Sequence, residues 1–172
     1  AQSVLYVKGL DGVEKPVLDP NKLSADGTVA LSGVAVSNDG KILAYGVSNS
    51  GSDWQQWQFV DIATGKKLAD ELKWIKFSSA VWDKENQGVF YARYDAPAGG
   101  DVLADVNFNQ KVYYHKLGTD QRQDLLIYER PQNKDWGFGI EVSEKGEYLL
   151  LSISQGTDKR NRFFYKSLFE PK

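Results

Sequence analysis

The chain has 172 residues, of which 41% are hydrophobic and 26% charged, and its 21 basic side chains nearly balance its 23 acidic ones. This composition is typical of one folded domain and excludes a disordered or collagen-like chain, while the net charge of −2 argues against a nucleic-acid partner. Cysteine is absent and histidine occurs once, which excludes disulfides, thiol catalysis and Cys-ligated metals. We therefore expect neither a metal nor another cofactor.

The termini and the apolar runs bear on targeting. The chain starts at Ala1 and contains no methionine, which indicates a processed protein or a piece of a longer one. No apolar run approaches the roughly 18 residues of a membrane span, and no secretory signal precedes the first strand. We expect no membrane partner.

Short strands are predicted along the whole chain, because hydrophobic residues alternate with a period of about two and turn-forming residues separate the runs. In chain order the expected strands are Val4–Val7, Val34–Ser37, Ile42–Val47, Trp57–Ile62, Phe77–Trp82, Val89–Tyr94, Val112–Leu117, Asp124–Tyr128, Gly139–Ser143, Tyr148–Ser154 and Arg162–Leu168. Alternation within the third of these places Ala44 on one face and Tyr45 on the other. The best helical candidate is Leu68–Ile75.

The strands recur as a unit. A strand, a polar turn and a second strand appear in three places, with the turn glycines Gly40, Gly88 and Gly146 lying 48 and 58 residues apart. Two units continue into a third strand closed by a tight turn, at Gly65 and Gly118. Glycine suits such turns because it adopts positive φ without steric penalty. A period of about 40–60 residues with four antiparallel strands is typical of β-propeller blades.

We therefore predict an all-β fold, a single domain that forms a partial β-propeller of about three to three and a half four-stranded antiparallel blades. The expected divisions are a blade remnant at 1–20 and blades at 30–70, 76–128 and 136–170. Such a chain cannot close a ring, since closed propellers have about 4–8 blades. An insertion at 95–110, marked by Pro97 and two glycines, is expected as a loop between the second and third strands of its blade.

No pattern for nucleophilic catalysis is present in the sequence. The Gly-x-Ser-x-Gly elbow of serine hydrolases is absent, and the nearest run, Gly46–Gly51, has the wrong spacing. His115 is the only histidine that could act as a base. Alternation places it on the same strand face as Tyr113 and Leu117, so we interpret it as a structural, hydrogen-bonded residue and expect no catalytic residue in the chain.

Acidic and aromatic side chains are the remaining candidates for a site. The pairs Asp83/Glu85 and Asp101/Asp105 fall in turns or in the insertion, where solvated carboxylates are the usual case. Aromatic side chains either line a binding surface or fill the space between neighbouring blades, and we favour the second interpretation. The residues concerned are Trp54, Trp57, Trp74, Trp82, Trp136, Phe77 and Phe138.

Several runs resemble one known family. In chain order they are "QSVLYVKG", "VLDPNKLSADGTVAL", "LAYGVSNSGSDW", "IKFSSAVW", "GVFYARY", "QKVYYHKLGTDQRQD" and "LLLSISQGTDKRNRFFY". They resemble the β-propeller domain of the prolyl oligopeptidases, serine peptidases of family S9. The resemblance covers essentially the whole chain, and "SGSDW" and "YYHKLGT" are its most specific parts.

This resemblance implies a seven-bladed propeller joined to an α/β-hydrolase domain, which carries a Ser-Asp-His triad and cleaves short peptides after proline. It implies that the propeller covers the active site and excludes folded proteins. The chain corresponds to about the first half of that propeller and contains none of the triad. It is therefore expected to be inactive alone, with the hydrolase domain, the remaining blades and short proline-containing peptides as partners.

The resemblance also implies substrate-proximal residues. The Phe of the family's "KFS" motif is present as Phe77, an expected apolar wall near the third subsite on the non-prime side. The family's Met beyond a Trp is replaced by Gly137, and its Arg and Cys in a later loop are replaced by Ser154 and Thr157. Substrate contacts on that side are expected to differ, because Arg is a rigid charged donor that Ser cannot replace.

Two functions remain open from the sequence. The first is a non-catalytic segment that gates access to the active site of a prolyl oligopeptidase, in the cytoplasm, or in the periplasm of a bacterium. The second is a stand-alone interaction scaffold in which two half-propellers associate into a closed ring.

Overall fold

The computed structural model describes residues 2–97 and 107–169, which form four antiparallel sheets in chain order. The first sheet contains β1 (Leu5–Lys8) and β2 (Glu14–Leu18), and the second contains β3 (Val29–Val36), β4 (Ile42–Asn49), β5 (Gln55–Asp61) and β6 (Lys67–Ile75). The third contains β7 (Val81–Trp82), β8 (Gly88–Arg93), β9 (Lys111–Lys116) and β10 (Leu125–Tyr128), and the fourth contains β11 (Trp136–Val142), β12 (Tyr148–Gln155) and β13 (Arg162–Ser167). Short 3₁₀ helices occupy Pro20–Lys22, Gln121–Gln123 and Pro131–Asn133.

Each sheet is a meander in which consecutive strands are neighbours. This is the strand order of propeller blades, and the all-β prediction is confirmed. None of the helices within the described ranges is long and apolar enough to cross a membrane.

Three apolar cores lie between successive sheets rather than within one. The alternation in β4 explains how one strand serves two of them: Ala44 packs with residues of the third sheet, whereas Leu43 and Tyr45 pack with residues of the first. The third core joins Phe90 on the third sheet to Phe138 on the fourth. Most of the aromatic side chains considered above fill these spaces, as expected.

The predicted helix at Leu68–Ile75 is wrong, because this segment forms β6. Its buried apolar residues Leu72 and Ile75 are spaced as on a helix, but they pair with Trp57 and Gln55 of β5 across an irregularity in register. Trp74 has a φ of 63°, which kinks the strand locally. Because of this kink, the successive buried positions Leu72 and Ile75 lie three residues apart instead of the two residues of a regular strand. A helical spacing in the sequence is thus produced by a bulged strand.

The interpretation of Gly88 as a turn glycine is also wrong. Gly40 and Gly146 have φ values of 70° and 75°, whereas Gly88 lies in β8 outside the left-handed region and Asn86, with a φ of 58°, takes the turn position. A Cβ at Gly88 would collide with the carbonyl oxygen of His115 on β9. Close approach of two strands, not turn geometry, requires glycine at this position.

The insertion begins after β8 and ends at β9, as expected. Residues 98–106, which include the acidic pair Asp101/Asp105, lie outside the described residues.

Candidate functional site

Phe77 lies in the connection between β6 and β7. The sequence predicts a strand over Phe77–Trp82, but the structure forms one only at Val81–Trp82. Phe77 has a φ of 56° and its side chain is 63% exposed. The left-handed conformation is unfavourable for a bulky residue, and such strain concentrates at binding sites. Packing does not explain an exposed aromatic side chain on a strained backbone, so Phe77 marks a candidate site.

The residues on both sides of Phe77 are anchored. The buried Lys76 donates from Nζ to Oδ1 of Asn107 over 2.9 Å, and its ammonium group lies 4.0 Å from the ring centroid of Trp54. On the other side, Oγ of Ser78 accepts the backbone N–H of Ala92 at 2.9 Å. These contacts hold the strained connection in place.

Phe77 lines a pocket of about 480 Å³ that lies against β11 and β12. Its aromatic walls include Phe77, Tyr94 and Trp136. Small residues also line it, and all of them belong to β11, β12 or the turn after β12: Gly137, Gly139, Ser152, Ser154 and Gly156. A volume of this size suits a small ligand or a few side chains of a peptide, and aromatic walls with small polar residues leave room for a bulky apolar group.

The structure brings together two of the three residues predicted to lie near substrate. Phe77 and Ser154 line the same pocket, whereas Thr157 lies in the turn beyond β12, next to a pocket residue, Gly156. Gly137 belongs to the same wall as Ser154, since a Cβ there would lie 3.1 Å from Oγ of Ser154. That these residues contact a substrate stays a prediction.

Two pocket residues, Asn107 and Gln110, are not predicted by the sequence. Both come from the end of the insertion, where amide side chains are usually solvated, and no local pattern distinguishes them. Gln110 is nevertheless only 2% exposed.

His115 lies away from this pocket, in the space between the second and third sheets. Its ring is fully buried, stacks on Phe59, and contacts Asp124 through Nδ1 at 2.7 Å and Asp70 through Nε2 at 3.1 Å. Burial opposes a charge on the ring, but the hydrogen bonds and charges of Asp124 and Asp70 outweigh it and raise the pKa of His115 above its ordinary value. The interpretation of His115 as a hydrogen-bonded strand residue agrees with these contacts.

Of the acidic pair Asp83/Glu85, Asp83 has a structural role, whereas Glu85 is exposed. Asp83 accepts the hydroxyl of Tyr114 at 2.5 Å and the backbone N–H of Gln87 at 2.9 Å, so its carboxylate is occupied by hydrogen bonds within the third sheet. In the ranges 2–97 and 107–169 no group of three or more His, Asp or Glu side chains is arranged to hold a metal ion.

A larger cavity, of about 650 Å³, lies on the second sheet beside Lys22 and Leu23. Its walls include Tyr45 and Val47, which belong to the apolar core shared with the first sheet. The cavity is lined by residues of the second sheet and its connections, and they include Trp74, which has a φ of 63°. Trp74 is half-buried, whereas Phe77 is 63% exposed, so we take the pocket around Phe77 as the candidate site.

Comparison with known proteins identifies the fold family. The whole chain, residues 1–172, matches the model of the prolyl oligopeptidase N-terminal β-propeller domain. The chain belongs to this family. Curated relatives include prolyl oligopeptidase A of Galerina marginata, 39% identical over 89% of this chain, and the prolyl endopeptidase of Elizabethkingia meningoseptica, 39% identical over 98% of it.

Solved structures of prolyl oligopeptidases have the same fold as this propeller segment. A structure from a study of two prolyl endopeptidases superposes with a TM-score of 0.86 at 37% identity over 97% of the chain. Prolyl oligopeptidase B of Galerina marginata, bound to a 35-residue hydrolysis and macrocyclization substrate, superposes with a TM-score of 0.87 at 33% identity over 98% of the chain. The chain spans about a quarter of these proteins, 23% and 26% of their respective chains.

Proposed function

We propose that this propeller segment forms part of the wall of the substrate chamber in a prolyl oligopeptidase, without contributing catalytic residues. Family membership supports the association with a peptidase domain that cleaves short peptides after proline. The propeller would admit such peptides and exclude folded proteins. The observation that carries the proposal is the pocket around Phe77, where an exposed aromatic side chain stands on a strained, doubly anchored backbone.

In this proposal the pocket receives the peptide residue three positions before the cleaved bond, on the amino-terminal side of proline. Phe77 provides an apolar wall, and Gly137 with Ser154 leaves space for a bulky side chain opposite it. Binding would be hydrophobic, so its strength should follow the apolar area that the substrate buries against Phe77.

Kinetic comparison of two substrates tests this function in the full-length protein that carries the chain. One substrate is a chromogenic Gly-Pro compound, which ends before the pocket, and the other is the same compound extended by Phe. F77A removes most of the apolar wall, and we expect it to raise KM for the extended substrate about tenfold, from the loss of about 1.5 kcal/mol of burial.

The short substrate serves as the control, because its KM and kcat should not change in F77A. Equal effects on both substrates, or no effect on either, would contradict a role of the pocket in substrate binding.

The alternative function, self-association of half-propellers, is supported by a second observation. On β13, Phe163 is 62% exposed and Tyr165 is 75% exposed, on the face of the fourth sheet that points away from the third. Large apolar side chains on one uncovered sheet face favour contact with a further sheet. A second copy of the chain and the following blade of a longer propeller both provide one.

A further inference from the structure

Gln110 joins two elements that both line the Phe77 pocket, the connection that contains Phe77 and β11. Its Nε2 donates to the carbonyl oxygen of Lys76 at 3.1 Å, and its Oε1 accepts the backbone N–H of Phe138 on β11 at 2.7 Å. Lys76 precedes Phe77 directly, so one buried side chain spans from the strained connection to the first strand of the next sheet.

The two contacts require the chemistry of an amide. The carbonyl of Lys76 needs a donor and the N–H of Phe138 needs an acceptor, and glutamine presents both on one planar group. Because Gln110 is only 2% exposed, water has little access to either backbone group, and a side chain that lost one function would leave a buried partner unsatisfied.

The contacts of Gln110 belong to a longer connection, which we call the brace and define as residues 107–110. Besides the contacts of Gln110, Oδ1 of Asn107 accepts a hydrogen bond from the ammonium group of Lys76. The backbone N–H of Asn109 donates to the carbonyl oxygen of Lys134 at 2.7 Å, just before β11 begins. The brace thus makes two hydrogen bonds to Lys76, the residue before Phe77, and two to the backbone at or just before β11. Asn107 and Gln110 also line the pocket.

We propose that Gln110 is a positioning residue that sets the separation between Phe77 and β11, and so determines how tightly the pocket holds a substrate side chain. The inference rests on the proposed function of the pocket. It goes beyond that function, because Gln110, whose side chain is only 2% exposed, acts through its hydrogen bonds to the backbone of two neighbours.

The test uses the full-length protein and the same two substrates, short and extended. Q110A removes both hydrogen bonds together with most of the side chain, and Q110M removes both while keeping a similar side-chain volume. We expect each variant to raise KM for the extended substrate about tenfold with little change in kcat, since small errors in position weaken binding strongly. Q132A, which changes an exposed glutamine in the Pro131–Asn133 helix, should behave as wild type.

The short substrate does not reach the pocket, so its kinetics show whether a Gln110 variant damages the fold as a whole. The kinetics of the short substrate should be unchanged in both Gln110 variants, and if Q110A does not fold, the result of Q110M decides. A wild-type KM for the extended substrate in Q110M, or equal losses on both substrates, would overturn the proposal. F77A distinguishes failure of this proposal from failure of the proposed function. If F77A weakens binding of the extended substrate and the Gln110 variants do not, the positioning role of Gln110 is wrong and the role of the pocket in binding is retained. If F77A also has no effect, the proposed function itself is wrong.

Discussion

His115 shows how one side chain links two sheets of this propeller segment. It lies on β9 of the third sheet, and its contacts reach Asp70 on β6 of the second sheet and Asp124 beside β10. Asp70 also accepts the N–H of Gly118, and Asp124 also accepts the hydroxyl of Tyr91. A neutral imidazole has one N–H, whereas both ring nitrogens face carboxylates, so the geometry fits the doubly protonated cation.

The charge on His115 predicts a pH dependence of stability. The pKa of His115 is raised in the folded chain above its ordinary value of about 6.5, so the folded state binds this proton more tightly than the unfolded state. Its contribution is fully present below about pH 6.5 and is lost as pH rises through the folded pKa. We expect the free energy of unfolding of wild type to fall over this range, measured by urea denaturation at a series of pH values.

The variant H115Q provides the comparison, because it cannot take up the proton. Its free energy of unfolding at pH 6 should be lower than that of wild type by about 3–5 kcal/mol, because a buried carboxylate is left without its cation. This difference in the free energy of unfolding should shrink at higher pH. A constant difference across the range would contradict a protonated His115.

At the scale of the element, Gly88 tests whether close strand approach or turn geometry governs the glycines of the repeat. G88A should destabilise the chain by about 3 kcal/mol, because the new Cβ collides with a backbone carbonyl that cannot move without distorting β9. G40A is the matched substitution at a turn of positive φ with open space around it, and it should cost about 1 kcal/mol. Thermal unfolding shows which of the two variants is less stable. A larger loss of stability in G40A than in G88A would contradict the role of close strand approach at Gly88.

The elements also show what a sequence can predict. Alternation predicted β4 and the division of Ala44 and Tyr45 between two cores, because side chains of a regular strand must alternate. It failed at β6, since the kink at Trp74 shifts the alternation by one residue and imitates a helix. Resemblance named Phe77 as a candidate near substrate, which stays a prediction. Gln110 was not named, because its contacts are to two backbone groups that only folding brings together.

For the whole molecule, the arrangement of cores between sheets has a direct consequence for assembly. The second and third sheets are packed on both faces, whereas the fourth sheet has one face packed on the third sheet and one face that exposes Phe163 and Tyr165. We expect the isolated chain to self-associate through this face, and F163S/Y165S to shift it towards monomer, with a Tm that no longer depends on the chain concentration.

Phe164 offers a matched control on the same strand. Its ring contacts Tyr128 and Trp136 on the packed side, so F164S should lower thermal stability without dissociating the assembly. Light scattering gives the mass of each variant. A wild-type chain that is monomeric and unfolds cooperatively would exclude pairing of half-propellers.

Photo-crosslinking in the full-length protein tests whether the Phe77 pocket forms part of a substrate chamber. A proline-containing peptide would carry benzoylphenylalanine three positions before the cleaved bond. We expect mass spectrometry to find the crosslink at Phe77 or at the pocket residues of β11 and β12. An excess of unlabelled peptide should suppress this crosslink. Crosslinks found exclusively outside residues 1–172 would contradict the account.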